Sequence, residues 1–358
     1  SDVYKRQEFT HEWEAGLDLS LFKRKINLDF TVYRKITTDL IYAVAVPSTT
    51  GYGSFNTNIG EISNKGIEIG LTLRPIVTQD FSWEIRGSFT KNKNLVVSLV
   101  DGLDRTPLGG GFSNGVQTYL EPGMPFGYLY GPKADRLSDG TPLINPATGM
   151  MIEGLESGYI GDPNPDYKLG ISNSISYKGF SLYGLFDMTK GGDIYSVTVS
   201  SLLGRGVTED TKDRETAWVI PGVYGDPNTH MPILVSGKTV PNQTRITTND
   251  LYFAPGGASA TFAINASEEF NIYDATVYRL RELSLGYQLP QTIVKKMGVS
   301  AITFSLSGHN LWYLAPNFPK HTKFDPEVSS YGSSSIQGLE LSAAPTTRRI
   351  GLNLNVTF

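Results

Sequence analysis

Hydrophobic and polar residues alternate along many stretches of this chain. A period of two is typical of β-strands that turn one face to an apolar environment and the other to a polar one. At the end of the chain, the apolar positions are Ile350, Leu352, Leu354, Val356 and Phe358. The same alternation predicts nine strands, whose apolar positions fall within 13–21, 26–32, 67–73, 81–89, 167–171, 180–188, 283–289, 302–306 and 350–358.

The connections between these strands are alternately short and long. The short ones are 22–25, 74–80, 178–179 and 290–300, and the long ones are about 38–58, 93–165, 190–272 and 313–345. A transmembrane β-barrel has short periplasmic turns and long extracellular loops, whereas compact soluble domains rarely contain loops of this length. The sequence therefore predicts an all-β fold, an antiparallel transmembrane barrel with its four long loops outside the cell.

The number of strands indicates a larger protein. Nine antiparallel strands do not close a barrel with an even number of strands, and open sheet edges are not tolerated in lipid. Residues 1–7 (SDVYKRQ) are polar and basic, unlike a secretory signal, and fit poorly with the strand that follows. We therefore expect 8–358 to be the C-terminal part of a larger barrel and 1–7 to be a non-native leader.

The first hairpin has a predicted register that brings two acidic residues together. If Leu21 lies opposite Ile26, then Asp18 lies opposite Asp29 on the polar face. Like charges that face each other destabilise a strand pair. We expect this acidic pair to face the lumen and to require a cation or a basic partner there.

The second hairpin is predicted to carry a favourable ion pair. Placing Leu73 opposite Phe81 would bring Glu68 opposite Arg86, again on the polar face. Asp187 occupies a polar position of a later strand. We expect all three charged residues to face the lumen.

Composition excludes several classes of function. The net charge of −4 lacks the basic footprint of a nucleic-acid-binding protein, so we expect no nucleic acid. The chain has no cysteine, which excludes a disulfide framework and a thiolate metal site. The longest apolar run, residues 40–46, is far shorter than the roughly 20 residues of a transmembrane helix.

Candidate catalytic and metal-binding residues do not form a recognisable pattern. The acidic pairs Asp162/Asp166 and Asp135/Asp139 lie in loops but do not match an EF-hand. No metal-ligand spacing connects the four histidines, which are His11, His230, His309 and His321. We therefore predict no enzyme activity, no cofactor and no metal. We interpret these side chains as structural or solvated.

Aromatic residues in the long loops are the better candidates for ligand contact, because large concave binding sites are rich in aromatic side chains. The candidates are Tyr119, Trp218, Tyr224, Tyr252 and Tyr313. The alternative is that they pack the loops together or contact a partner protein. A different set fits the aromatic girdle at a membrane interface, namely Trp13, Trp83 and Trp312.

Several segments resemble motifs of the SusC/RagA family of TonB-dependent receptors, and they occur in the order of that family. They are NIGEISNKGIE at 58–68, GYLYG at 127–131 with DGTP at 139–142, GDPNPDYKLG at 161–170, DATVYRLRELSLGY at 274–287, NLW at 310–312 and DPE at 325–327. Each motif alone is weakly specific, but together they run from about residue 10 to the end and are highly specific.

The resemblance implies a plugged barrel of about 22 strands in the outer membrane of a Gram-negative bacterium, surrounded by outer-membrane lipids. It implies energy coupling to TonB through an N-terminal plug region, and a SusD-like surface lipoprotein that closes over the barrel as a lid. The ligand would be an oligosaccharide or a peptide. Two alternatives remain open: a soluble β-sandwich that binds glycans or mediates adhesion, and a passive porin.

Overall fold

A single large antiparallel sheet dominates the fold. The structure is a computed structural model that describes residues 7–45, 49, 51–112, 115–253, 267–332 and 334–358. We number the nine strands of this sheet β1 (Phe9–Leu21), β2 (Ile26–Thr38), β3 (Gly60–Val77), β4 (Phe81–Leu99), β5 (Tyr167–Tyr177), β6 (Phe180–Lys190), β7 (Val277–Gln288), β8 (Ala301–Leu314) and β9 (Arg349–Thr357).

Each strand of the sheet pairs with the next one along the chain, always antiparallel. The prediction of nine strands in an all-β antiparallel fold is therefore confirmed. In the described part of the chain, β1 pairs only with β2 and β9 pairs only with β8, so the sheet is an open wall.

The short turns agree with the predicted turns at two hairpins. The turn between β1 and β2 is 22–25, and the turn between β5 and β6 is 178–179. Leu21 pairs with Ile26, and Asp18 pairs with Asp29, as the sequence predicts. The hairpin register of β1 and β2 is thus confirmed.

The predicted register of the second hairpin is wrong. Leu73 pairs with Ile85 rather than with Phe81, and β3 continues to Val77 after an irregularity between Leu73 and Ile76. Pro75 lies within this irregularity, where it has no N–H to donate to the ladder. The hairpin is therefore tighter than the sequence indicates.

This register separates the predicted ion pair of the second hairpin. Glu68 pairs with Thr90, and Arg86 pairs with Thr72. The Nε of Arg86 instead lies 2.6 Å from Oε1 of Glu84, two residues away on the same strand face. Arg86 therefore has an acidic neighbour, but it is not Glu68.

The apolar face of the sheet is open to its surroundings. Leu17 is 50% exposed, Leu285 is 51% exposed, Leu306 is 47% exposed and Leu354 is 60% exposed. In the described residues, no second sheet covers these side chains. A soluble β-sandwich would bury them, so this alternative does not fit the structure.

The four long connections carry their own small elements. We call them L1 (39–59), L2 (100–166), L3 (191–276) and L4 (315–348). Their strands are Ile41–Ala45 and Ser54–Asn58 in L1, Thr106–Gly111, Gln117–Leu120, Tyr128–Ala134, Leu143–Ile144 and Glu153–Gly161 in L2, Asp193–Ser196, Val223–Asp226, Met231–Pro232, Leu234–Val235, Lys238–Thr239 and Ile272–Asp274 in L3, and Leu339–Glu340 in L4.

The helices are short. The α-helices are Val197–Gly204 and Thr248–Tyr252 in L3 and Gln291–Val294 in the turn between β7 and β8. The 3₁₀ helices are Glu209–Thr211 and Glu268–Asn271 in L3 and Lys295–Met297 in the same turn. Of the helices that the structure describes, none has the length and apolarity needed to cross a membrane.

The buried apolar clusters lie mainly in the loops rather than in the sheet. One cluster joins Val116 and Leu129 of L2 to Tyr195 and Val197 of L3 and Leu339 of L4. Burial of apolar surface therefore joins L2, L3 and L4 into one body at the end of the wall where the long loops lie.

We predict that a charge on the apolar face destabilises the protein in lipid, and that a charge on the polar face does not. Leu285→Arg should lower the free energy of unfolding by about 2–4 kcal/mol, the cost of an arginine on the lipid-facing side of a barrel. Ser284→Arg, one residue away on the polar face, is the matched control. Denaturant unfolding in phospholipid vesicles measures both variants, and equal destabilisation would contradict a lipid-facing surface.

Candidate functional site

The polar face of the wall carries an open groove. The groove has a volume of about 580 Å³ and is lined by Asp18, Asn27, Asp29, Thr72, Arg86 and Ser172, among others. Asp18 and Asp29 lie opposite each other within it. Glu68 is exposed and sits two residues along β3 from Gly70, which pairs with Asp29.

L4 returns to the polar face of the wall and is held there by a buried arginine. Arg279 of β7 is fully buried, and its Nη2 lies 2.6 Å from Oδ1 of Asp325. Its Nη1 donates to the second carboxylate oxygen at 3.3 Å, and the hydroxyl of Thr346 also donates to Asp325. A two-point pairing of this kind fixes both position and orientation.

A second arginine extends the network. The strand irregularity between Leu280 and Glu282 sets Arg281 beside Asp187, whose Oδ2 lies 2.5 Å from Nε of Arg281. Arg281 also makes two hydrogen bonds to Glu327, of 2.9 and 2.5 Å. The groups are partly exposed, so the network borders the open mouth of the wall.

L4 is anchored a second time, to L3. Leu339 and Glu340 pair in parallel with Tyr195 and Ser196. The carboxylate of Glu340 is fully buried and accepts hydrogen bonds from the hydroxyls of Ser196, at 2.6 Å, and Thr198, at 2.5 Å. A buried carboxylate with several donors resists displacement, because the donors would lose their partner.

The five aromatic candidates do not form one site. Tyr252 packs on the buried cluster of Ile194, Val199, Leu203, Phe318 and Phe324. The hydroxyl of Tyr313 donates to the carbonyl of Lys323 at 2.5 Å, and its ring centroid lies 5.3 Å from the guanidinium carbon of Arg279. Tyr252 and Tyr313 therefore pack the loops, which is the alternative that the sequence left open.

The other three aromatic candidates lie in separate places. Trp218 is 40% exposed in L3. The hydroxyl of Tyr224 is 3.0 Å from both the hydroxyl of Thr244 and the backbone nitrogen of Gln243. Tyr119 lies in the L2 sheet, where its ring meets Tyr128 and Tyr130.

Comparison with known proteins identifies the family. Residues 5–185, half of the chain, match the family described as TonB dependent receptor-like, beta-barrel. The chain belongs to this family. The predicted kinship with TonB-dependent receptors is confirmed.

Named relatives agree with this membership. The TonB-dependent receptor P3 of Formosa agariphila is 28% identical over 378 residues, which cover 98% of this chain and 34% of the relative. The TonB-dependent receptor SusC of Bacteroides thetaiotaomicron is 29% identical over 188 residues, which cover 48% of this chain and 18% of SusC. The chain thus spans about a third of the length of P3.

A solved structure shows the same fold. The RagAB peptide transporter matches with a TM-score of 0.67 at 16% sequence identity, over 98% of this chain and 35% of that chain. At this identity, the likeness concerns the fold alone. The open sheet of this receptor therefore corresponds in fold to part of a larger transporter chain.

Two of the family-like motifs of this receptor are partners in space. The RLR segment at 279–281 supplies both arginines of the network, and the DPE segment at 325–327 supplies both of the L4 carboxylates. The sequence displays both segments, but their pairing across 46 residues appears only in the fold.

Two of the four histidines of the receptor have acidic partners that join its loops. Nδ1 of His230 lies 2.5 Å from Oδ2 of Asp135, which joins L3 to L2. Nδ1 of His321 lies 3.5 Å from Glu209, which joins L4 to L3. Within the described residues, no group of three or more histidine, aspartate or glutamate side chains is arranged to hold a metal ion.

The three predicted girdle tryptophans lie at both ends of the wall. Trp13 is 64% exposed and pairs with Arg34, near the end of β2 that leads to L1, and Trp312 is 46% exposed near the end of β8 that leads to L4. Trp83 lies near a short turn, and its Nε1 donates to Asn173 at 3.3 Å. Tryptophans at both levels fit two membrane interfaces.

Two loop carboxyls, one buried and one partly buried, differ in their pKa. Burial raises the pKa of Asp193, as do the neighbouring charges of Asp274 and Asp162. Burial also acts to raise the pKa of Asp325, but hydrogen bonds from Arg279 and Thr346 outweigh it and hold that pKa below its usual value. Asp325 is therefore ionised wherever L4 is docked at neutral pH.

We predict that Arg279→Met weakens the L4 anchor strongly, because it leaves the carboxylate of Asp325 buried without its cation. Breaking a buried pair in this way costs about 3–5 kcal/mol. Arg281→Met is the matched control, since Arg281 is partly exposed and its loss should cost only about 1 kcal/mol. Hydrogen exchange of residues 315–348 in the intact receptor measures both, and equal effects would contradict the assigned anchor.

We also predict that the anchor weakens in acid. The pKa of Asp325 is lowered on folding, so its contribution is complete above its unfolded pKa of about 3.9 and is lost as the pH falls through the lower folded value. Hydrogen exchange of L4 between pH 5 and pH 2 measures this loss. Asp325→Asn should remove this acid-dependent step, and an unchanged profile in that variant would assign the step to another group.

Proposed function

We propose that this chain forms part of the barrel wall of a TonB-dependent importer in the outer membrane of a Gram-negative bacterium. The importer takes up oligosaccharides, or peptides, that are too large for porins. The observation that carries the proposal is the exposed apolar face of the nine-stranded sheet, opposite a polar groove, in a chain of the TonB-dependent receptor family. An apolar outer face and a polar interior are what a membrane barrel requires.

The orientation follows from the length of the connections. Long loops are extracellular and short turns are periplasmic in outer-membrane barrels. L1 to L4 therefore face the outside of the cell, where ligand arrives. The groups that line the groove, among them Asp18, Asp29 and Arg86, face the lumen. Glu68 and Asp187 lie on the same side.

The proposed importer works with two kinds of partner. A SusD-like surface lipoprotein covers the loops as a lid, and TonB couples energy through an N-terminal plug. Support comes from the likeness to SusC and from the fold shared with the RagAB peptide transporter. Further barrel strands would pair with the free edges of β1 and β9, since open edges are unfavourable in lipid.

A passive porin is the second candidate function, because its wall would have the same two faces. The packed body of L2, L3 and L4 favours a receptor, since buried contacts make these loops one structured unit rather than separate connections. The two functions differ in whether uptake requires energy supplied through TonB.

We predict that uptake through the intact receptor requires TonB. A strain that carries the gene as its only importer of this kind should take up fluorescent oligosaccharides or peptides, and should lose uptake when tonB is deleted or a protonophore is added. A passive porin would continue to conduct under both treatments. TonB-independent uptake, with the receptor present in the membrane, would overturn the proposed function.

A further inference from the structure

The L2 sheet has one face that packs against the other loops and one that is exposed in part. Its strands lie in the order 153–161, 128–134, 117–120 and 106–111. Thr118, Leu120 and Leu129 are fully buried on one face, where Leu129 packs against Tyr195 and Leu339 of the loop body. The role of this first face is therefore to hold L2 against L3 and L4.

Four tyrosines lie on the opposite face of the L2 sheet. Tyr119 pairs across the strands with Tyr128, and Tyr130 pairs with Tyr159, so all four side chains project to the same side. We call this set the tyrosine platform. Sequence reasoning found only Tyr119, although the alternation of Tyr128 and Tyr130 was a usable signal.

The rings of the tyrosine platform are in mutual contact. Ring centroids lie 4.9 Å apart for Tyr119 and Tyr130, and 5.8 Å apart for Tyr128 and Tyr159, which are stacked. Tyr128 is 1% exposed at the centre, whereas Tyr159 is 42% exposed at the side. The packed rings hold each other in place, so Tyr159 offers a rigid aromatic surface to solvent.

One cation and one anion flank the platform. The guanidinium carbon of Arg105 lies 4.2 Å from the ring centroid of Tyr130 and 5.7 Å from that of Tyr119. Among the described residues, no carboxylate lies within 4.0 Å of the Arg105 nitrogens. The carboxylate of Glu121 accepts a hydrogen bond from the hydroxyl of Tyr128. The two charges balance, and both remain able to hydrogen-bond a ligand.

We propose that the tyrosine platform binds the rings of an uncharged oligosaccharide. Sugar rings present flat apolar C–H faces that stack on aromatic rings, and their hydroxyls need donors and acceptors at the rim. Tyr159 supplies the stacking surface, Arg105 supplies N–H donors, and Glu121 supplies acceptor oxygens.

The chemistry of the platform favours this ligand over others. A lipid chain would not match the phenol hydroxyls and the two charged groups. A polyanion would be repelled by Glu121 and a polycation by Arg105, and the attraction of the other group would only offset that repulsion. Glutamate is depleted in the core of protein interfaces, whereas Glu121 here hydrogen-bonds the central tyrosine of the platform. The balanced charge and the uniform phenol surface therefore select an uncharged, hydroxyl-rich partner.

This inference rests on the proposed import function, because it makes the tyrosine platform a place where ligand is captured before it enters the barrel. Binding can be measured without transport, so the two proposals fail separately. Binding without TonB-dependent uptake would overturn import and leave the platform intact. If substitutions in the tyrosine platform left uptake unchanged, only the role of the platform in ligand capture would be overturned.

The test uses the intact receptor in detergent and a panel of neutral hexasaccharides of glucose, mannose and galactose in α and β linkages. Calorimetric titration should detect binding of at least one of them to the unaltered protein. Tyr159→Ala and Arg105→Gln should each weaken that binding about tenfold, the effect of losing one stacking or one charge-assisted contact. Tyr177→Ala, which removes a tyrosine of similar exposure at a short turn, should leave binding unchanged.

Folding of each variant is checked by the protease resistance of the loops, and a variant that fails this check is replaced by Tyr159→Phe with Tyr159→Leu. The phenylalanine should retain most of the binding, because it keeps the aromatic face, and the leucine should lose it. Absence of binding to the whole panel would overturn the proposal. So would equal binding to the wild type and Tyr159→Leu, or stronger binding of hexagalacturonate or hexaglutamate at this site.

Discussion

The structure depends on one constraint, which is that backbone N–H and C=O groups must be paired wherever water is absent. An antiparallel ladder between neighbouring strands meets this requirement in hydrocarbon, and the period of two along each strand then assigns one face to lipid and the other to the lumen. Leu285 pairs with Leu306 on the apolar face, and Ser284 pairs with Ser307 on the polar face. Both faces of the sheet are explained by the same ladder.

Because of this constraint, the buried apolar side chains lie mainly in the loops and not against the sheet. Since the apolar face belongs to lipid and the other face is polar, the wall has little surface left on which to build a dry protein interior. Most buried side chains are accordingly found in the loops, in clusters such as Ile144, Met150, Ile220 and Ile246. The loops of this receptor are folded bodies with cores of their own rather than simple connections.

Sequence reasoning succeeded where the determinant was local. Strands follow from alternation, and a turn of four residues fixed the register of β1 and β2. It failed at β3 and β4 because the irregularity around Pro75 shifts the pairing, and no pattern of polarity reveals such a shift. The partner of Arg279 was equally hidden, since Asp325 lies 46 residues away and only the fold brings them together. The same applies to the tyrosine platform, whose members come from three separate strands of L2.

The two ways in which L4 is held follow from the same constraint. Where L4 meets L3, Phe318 and Phe324 bury apolar surface against Ile194, and no special geometry is required. Where L4 meets the wall, it meets a polar face, and apolar burial has nothing to act on. L4 is therefore held to the wall by directional hydrogen bonds between Arg279 and Asp325. These bonds are strong only because both side chains are desolvated. A buried ion pair adds little net stability compared with apolar packing, but it specifies one position for the loop. On a wall that must stay polar, that specificity is what an ion pair provides and a leucine cannot.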